Sequence, residues 1–344
     1  MKKRFGQKAF AAIASAIVLV IAVGYGIFYH YYSMMNYQKE EDQTLTSYEN
    51  ETDGDLTDSD GNIINNMESS IENNKGNAEE LSSSDVYNIL FIGTDARGNE
   101  RGRSDAMILV SINSRTKKIV LTSFLRDIYL YIPSVGNNRL NAAYAYGGAS
   151  LLMKTLKQNF GITVSNYAKT NFFSFIKIID ALGGVTLTVT SSEIKQINHN
   201  LKEINKLRGL PQSKHAMSLS QAGSVRLNGS QALAYARIRY IGTDFGRTER
   251  QRKVLSALIT SFKSAGVKQL SSLMTSVLPL VSTNLKQGDI LKLISNSGAY
   301  AKYSVVSQSI PASGTYSFVT IRKMSVISIN FEKNRKLLKD TIYG

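Results

Sequence analysis

The spacing of apolar residues divides this chain into three stretches. Ala9 to Phe28 runs for twenty residues without a charged side chain, long enough to cross the ~30 Å hydrocarbon core of a bilayer as one helix. Met35 to Asp85 shows almost no aliphatic periodicity. Beyond it, periods of two and of 3.6 residues alternate. Ile89–Ile92, Ala106–Ile112 and Ile119–Phe124 read as strands, separated by a Gly-, Arg- and Asp-rich loop (Thr94–Asp105) and a polar turn (Asn113–Lys118). Helical spacing follows at Ala149–Asn159, Phe172–Ala181, Ser230–Ala236, Arg247–Phe262, Val267–Thr275 and Gly288–Asn296, with strands at Val185–Thr190 and Tyr303–Ile310 and a strand-then-basic-helix pattern over Ile327–Tyr343. Residues 191–228 read as polar and irregular. Strands interleaved with helices predict an α/β domain, a three-layer α/β/α sandwich with a mixed central sheet, preceded by one transmembrane helix.

Short connections pair neighbouring strands, so the first three form an antiparallel meander. The end of the first, the start of the second and the end of the third then share one end of the sheet. Asp95, Arg103, Asp105, Arg126 and Asp127 all lie there. Carboxylates among arginines at a rigid sheet end suit a hard cation and the phosphates it bridges.

Charge sharpens this picture. The chain carries +15 overall, with 41 Lys+Arg against 26 Asp+Glu. Residues 1–85 hold 6 of the basic and 14 of the acidic groups, leaving 35 against 12 beyond them, a net of +23. A domain so positive repels itself unless its partner is a polyanion. Cysteine is absent and histidine occurs three times, which leaves no disulfide, thiolate zinc site or cysteine nucleophile and disfavours a Ser-His triad. Lys2, Lys3, Arg4 and Lys8 precede the apolar run, and the next basic residue is Lys39. The positive-inside rule then predicts a single-pass protein of the cell membrane: a cytoplasmic tail (1–8), a membrane helix (9–28), a flexible acidic stalk (29–85) and an extracellular domain (86–344). Nucleic acid is not expected as a partner of a domain outside the cell.

A second group of candidates falls in residues 229–252. Arg237 and Arg239 are two apart and share a side if the chain is extended there. Thr243 or Asp244 can cap the next helix, with Arg247 in its first turn and Arg250 and Gln251 one turn on. A helix N-terminus with arginines attached is a phosphate site. The bland alternative reads Asp244 as a plain cap and Arg250 and Arg252 as solvated surface.

The order of these residues carries a likeness. Asn88–Asp95, Gly102-Arg-Ser-Asp105, Leu125-Arg-Asp127, Arg139–Gly148, Asp180–Val185 and Ala234-Tyr-Ala-Arg-Ile-Arg239, followed by Asp244-Phe-Gly-Arg247 and Arg250-Gln-Arg252, resemble the LytR-CpsA-Psr family over residues 87–258. The resemblance implies a phosphotransferase of Gram-positive envelopes. Such an enzyme moves a glycopolymer (teichoic acid or capsular polysaccharide) from undecaprenyl pyrophosphate to a peptidoglycan acceptor. It implies Asp95 and Asp105 as ligands of Mg²⁺ (with Mn²⁺ as the alternative ion). Arg103, Arg126, Arg237, Arg239, Arg247 and Gln251 become the pyrophosphate clamp, and Phe172, Phe173, Phe175 and Ile176 candidates for a prenyl tunnel. Arg126, Asp127 and Asp244 are the catalytic candidates, either aspartate serving as general base unless the metal lowers the acceptor hydroxyl's pKa. Leu125 departs from the proline common before the family's Arg-Asp pair. The competing readings are a tethered binder or sensor of polyprenyl phosphates or anionic wall polymer, and a regulator that binds DNA.

Overall fold

The computed structural model describes residues 26–38, 45–46, 53, 56–95, 101–209, 211–238, 244–264 and 275–344. The meander forms as expected. β2 (Val86–Thr94) pairs antiparallel with β3 (Ser104–Asn113), and β3 with β4 (Lys118–Phe124). With β1 (Asn36–Tyr37), β7 (Asn166–Asn171), β10 (Ser282–Thr283) and β11 (Ser304–Ile310) they build a seven-stranded mixed sheet in the order β1–β10–β7–β2–β3–β4–β11. Three two-stranded sheets accompany it: β5 (Tyr129–Ile132) with β6 (Gly136–Arg139), β8 (Val185–Val189) with β9 (Gly223–Leu227), and β12 (Tyr316–Ile321) with β13 (Met324–Ile329).

The three layers follow from strand alternation. On β3, Met107 and Leu109 face one core, shared with α3 (Leu140–Phe160) and α10 (Phe331–Leu338). Ile108, Val110 and Ile112 face the other side, against Leu255 of α7 (Asp244–Ser264), Leu293 of α8 (Gln287–Ser295) and Tyr300 of α9 (Ser297–Tyr300). A further core joins α4 (Phe172–Ala181), α5 (Ser191–Leu207), α6 (Gly229–Ala236), β8 and β9 to Val254 and Leu258 of α7. Gly229 is needed where α6 meets α4, because a Cβ there would lie 2.1 Å from the Ile176 carbonyl oxygen. Asp180 accepts the Gly229 N–H at 2.7 Å, so Asp180 in the Asp-Ala-Leu-Gly-Gly-Val run fixes the start of α6.

Two expectations need correction. The stretch 29–85 is not a stalk throughout. Residues 61–74 form α2, capped by Asp60, whose side chain accepts the Asn62 N–H. Ile64, Met67 and Ile71 recur at helical spacing, and Met67 and Ile71 are buried in the core that contains α3. The segment before it docks as well. Thr46 donates to the Tyr146 carbonyl, Asp53 to Lys323 and Ser59 to Thr320 at 2.7–3.1 Å. Likewise, 191–228 is not irregular: Thr190 and Glu193 make a capping box for α5, whose Ile194, Ile197, Leu201 and Ile204 are buried. In both stretches the apolar residues keep a helical period, but Asn, Ser, Lys and Glu between them dominate the composition.

Helix α3 starts nine residues earlier than its apolar period suggests and breaks at Gly147 and Gly148, the latter at φ 65 and ψ −156. The break frees the Ala145 and Tyr146 carbonyls, which accept from Arg101 at 3.3 and 2.6 Å. Among the described residues no helix is long and apolar enough to cross a membrane. Most of the 9–28 run lies outside those residues, and only 26–28 belong to a helical stretch at 26–33 (α1). The expected helix at 267–275 also falls almost wholly outside them.

If α2 belongs to the core, Ile71→Ala should lower the unfolding free energy by about 2–5 kcal/mol. The loss would be read as a shift in denaturant midpoint at unchanged slope. A change within about 0.5 kcal/mol, the range of surface substitutions, would mean that residues 61–74 are not core.

Candidate functional site

Asp105 owes its position to a slip in the sheet. Gly93 pairs with Ala106 but Thr94 pairs with Ser104, so Asp105 is the extra residue of a β-bulge. A bulge bends the strand and re-aims its side chain. Just beyond it, the Asp95 N–H reaches the Arg103 carbonyl at 3.3 Å and the Arg103 N–H donates to Asp95 Oδ1 at 2.7 Å. The loop between the two strands is thereby closed by the same residues the sequence singled out.

Arg126 follows β4 and is held through its backbone. The Leu125 N–H donates to the Ile310 carbonyl at 2.9 Å, and the Arg126 carbonyl accepts the Asn141 N–H at 3.1 Å. A proline at 125 could not make the first of these bonds, so the departure from the family pattern adds a tie to β11. Arg126 Nη1 donates to Asp105 Oδ1 at 2.8 Å and its Nε to Asp127 Oδ2 at 3.3 Å; Arg139 Nη1 donates to the other Asp127 oxygen at 3.4 Å. These side chains are at least four-fifths buried. Arg139 carried no role in the sequence reading. It arrives because the β5–β6 hairpin returns the chain, pairing Arg139 with Tyr129 two residues after Asp127. The alternation Tyr129-Leu-Tyr-Ile132 and the Pro133–Gly136 turn were the readable signal.

Burial, followed by repulsion from the Arg139 and Arg126 guanidiniums, pushes the Arg103 pKa down, while Asp105 and Asp127 oppose the shift. Arg103, Arg126 and Arg139 thus crowd a sheltered space with Asp105 and Asp127, beside Asp95, and an added anion would offset the repulsion among the guanidiniums.

The second group meets the first through Asp105. A cavity of about 350 Å³ is lined by Asp105, Arg237, Arg247 and Gln251 together with an apolar wall that includes Phe91, Ile108, Phe172, Phe175, Leu233, Val254 and Leu258. Arg237 caps the C-terminus of α6; Arg247 and Gln251 lie one turn apart on α7. Arg237 lies over the Phe172 ring at 5.1 Å and donates from Nη2 to Glu203 Oε1 at 3.4 Å. Its Nη1 is buried without a hydrogen-bond partner among the described residues. A buried donor with no acceptor is costly unless a ligand supplies one. Of the four predicted tunnel residues, Phe172 and Phe175 line the cavity; Phe173 is exposed and Ile176 packs inside the α4–α6 core.

Arg250 is not solvated surface. It is buried and pairs with Glu193 at 3.0 Å, with a second bond to the Ile238 carbonyl at 3.3 Å. That pair ties the site helix α7 to the start of α5. Arg239 lies outside the described residues, as does the side chain of Asp244, which opens α7.

Among the described residues no three His, Asp or Glu side chains cluster tightly enough to hold a metal unaided. Mg²⁺ rarely asks for that: it takes one or two carboxylates and completes its shell with water and substrate phosphates. Asp95 and Asp105 are hard oxygen donors at the ends of paired strands; Oδ1 of Asp95 accepts from the Arg103 N–H and Oδ1 of Asp105 from Arg126, and each carboxylate has a second oxygen to offer. The donor set fits that ion.

The sequence model of the LytR_cpsA_psr family matches residues 45–339, well beyond the motifs. The polyisoprenyl-teichoic acid–peptidoglycan teichoic acid transferase TagU of Bacillus cereus is 33% identical over 232 residues, covering 65% of this chain and 69% of that protein. The regulatory protein MsrR of Staphylococcus aureus is 32% identical over 73% of each. Among solved structures, the Bacillus subtilis protein YwtF (TagT) with bound octaprenyl pyrophosphate lipid superposes with a TM-score of 0.58 at 27% identity, over 77% of this chain and 94% of that one. TagT bound to LIIa-WTA gives 0.61 at 27% identity, over 78% and 96%. These structures share the mixed-sheet α/β fold described above.

Burial alone would raise the Glu193 pKa, but hydrogen bonds from the Thr190 N–H, Arg250 and the Thr190 hydroxyl, with the Arg250 charge, hold it below the usual carboxylate value. A carboxyl depressed in the folded state stabilises above its unfolded pKa of about 4.3 and loses that contribution as pH falls through the folded value. Stability should therefore drop on acidification below about pH 4. Glu193→Gln should flatten that part of the profile and cost about 3 kcal/mol at neutral pH, both measured by urea unfolding. An unchanged profile would refute the pair's role.

Proposed function

The chain belongs to the LytR-CpsA-Psr family and is a phosphotransferase, and on that premise we propose that it moves a glycopolymer from undecaprenyl pyrophosphate to peptidoglycan. One observation carries this reading: Asp105, which pairs with Arg126, also lines the apolar cavity together with Arg237 and Arg247. A charged cluster opening onto an apolar cavity matches a diphosphate with a lipid tail. One TagT structure holds a ligand of that chemistry, an octaprenyl pyrophosphate lipid, and another is bound to LIIa-WTA.

In this proposal the prenyl chain lies along Phe91, Phe172 and Phe175. Arg103, Arg126, Arg237 and Arg247, with Gln251, hold the phosphates, and Arg239 is assigned there by its place in the motif. Arg237 Nη1, which has no hydrogen-bond partner among the described residues, takes a phosphate oxygen. Asp95 and Asp105 would hold Mg²⁺, which when bound neutralises phosphate charge and polarises the phosphorus under attack. Phosphoryl transfer demands positioning and charge stabilisation more than covalent help. An acceptor sugar hydroxyl attacks the phosphorus next to the glycan, a phosphodiester forms, and undecaprenyl phosphate leaves.

Asp127 has both oxygens engaged by guanidiniums. We assign it to fixing Arg126 and Arg139 in place; of the two aspartates, Asp244 is then the one left for proton removal. The domain would act outside the cell, held by a membrane helix within residues 9–28, with the N-terminus in the cytoplasm.

Arg126→Ala should reduce polymer transfer to peptidoglycan at least about 100-fold, since each lost transition-state contact costs about 3 kcal/mol. The melting temperature should fall, because Asp105 and Asp127 lose a partner, so transfer is compared at a temperature where both proteins are folded. Transfer within twofold of the unaltered protein would reject the assignment. Arg139→Lys tests positioning. It keeps the charge but loses the planar fork, so kcat should fall by about tenfold with little change in KM for the lipid.

A further inference from the structure

Helix α5 presents a charged face that the transfer site leaves unused. Lys195, His199, Lys202 and Lys206 follow one another at intervals of four, three and four residues, and all are exposed. At 1.5 Å per residue the three lysines span about 16 Å along one side of the helix. An ordinary solvated face mixes both signs of charge, but here the acids are engaged elsewhere. Glu193 is buried against Arg250, and Glu203 pairs with Arg237. Glu203 stands at the flank of the stripe, one turn from His199 and from Lys206. Because Glu203 pairs with Arg237, which lines the cavity, the Lys202–Lys206 half of the stripe lies beside the phosphate site and Lys195 lies farther along the helix.

We propose that this stripe is a docking track for the phosphate-bearing part of the donor polymer beyond its first sugars. The proposal rests on the transfer reading and narrows its substrate class to anionic glycopolymers rather than neutral ones. A donor whose diphosphate sits at Arg237 sends its glycan outward from that point. A repeated anion gains from each lysine it passes, whereas a neutral glycan gains nothing. A bilayer surface would also meet lysines, but helices that lie in membranes turn apolar side chains toward the lipid. On α5, Ile194, Ile197, Leu201 and Ile204 all face inward and are buried, so the lysine face has no apolar row to insert.

The test compares the unaltered protein with the triple variant Lys195→Glu, Lys202→Glu, Lys206→Glu, its fold checked by thermal melting. Two donors are used: a prenyl-pyrophosphate disaccharide, and the same lipid extended by a glycerol-phosphate chain. For the extended donor, KM in the unaltered protein should be the lower of the two, and the advantage should shrink as salt rises. In the variant KM for the extended donor should rise about tenfold at low salt, with kcat/KM for the short donor unchanged. A variant that keeps the length preference would overturn the track. So would one that keeps it while losing binding to vesicles containing anionic phospholipid, which would make the stripe a membrane contact. Turnover of the short donor with no length preference in the unaltered protein would sink the track alone; turnover of neither donor would sink the transfer reading as well.

Discussion

The ion pair between Asp105 and Arg126, 2.8 Å long and four-fifths buried, joins the two halves of this site. One partner belongs to a β-bulge, the other to the turn after β4, and both are set by the sheet rather than by loops. A buried pair stabilises little once desolvation is counted, and removing one partner leaves an uncompensated charge. Its value here is positional. Asp105 faces the cavity that Arg237, Arg247 and Gln251 also line, while Arg126 belongs to a ring with Asp127 and Arg139. Without the pair, the guanidiniums from β4 and those from α6 and α7 would be two separate basic patches.

The surroundings preserve that geometry through backbone bonds. Leu125 is anchored to β11 and Asn141 to the Arg126 carbonyl. The Glu193–Arg250 pair fixes α7 against α5 from the other side. The N-terminal segment contributes through Thr46, and the β2–β3 loop through Arg101, both at the broken turn of α3. The excess of guanidiniums over carboxylates that results is tolerable in a sheltered pocket only with an anion to share it.

Much of this was legible in the chain. Ile89–Ile92, Ala106–Ile112 and Ile119–Phe124 have the length and apolar density of central strands, and short connections left one pairing for them. Once the meander was drawn, Asp105 and Arg126 had to share an end of the sheet. The bulge that aims Asp105 was not legible, because it is a matter of register. Helices α2 and α5 were missed because Met67 and Ile71, or Ile197 and Leu201, are thinly spread among polar residues. Composition outweighed a period that was present. Arg139 was quoted but given no role, since its approach to Asp127 depends on a hairpin, a contact made across twelve residues. The family resemblance implies a tunnel but not which face of α4 lines it, and the helix turns Phe173 to the surface and Ile176 into the α4–α6 core.

A crystal structure with a short prenyl pyrophosphate and Mg²⁺ bears most directly on the claim that one diphosphate bridges both halves. The expected result is phosphate oxygens within hydrogen-bond distance of Arg126 and of Arg237 Nη1, with prenyl carbons packed along Phe91, Phe172 and Phe175. Phosphates bound to only one of the two arginines, or a chain lying outside the cavity, would contradict it.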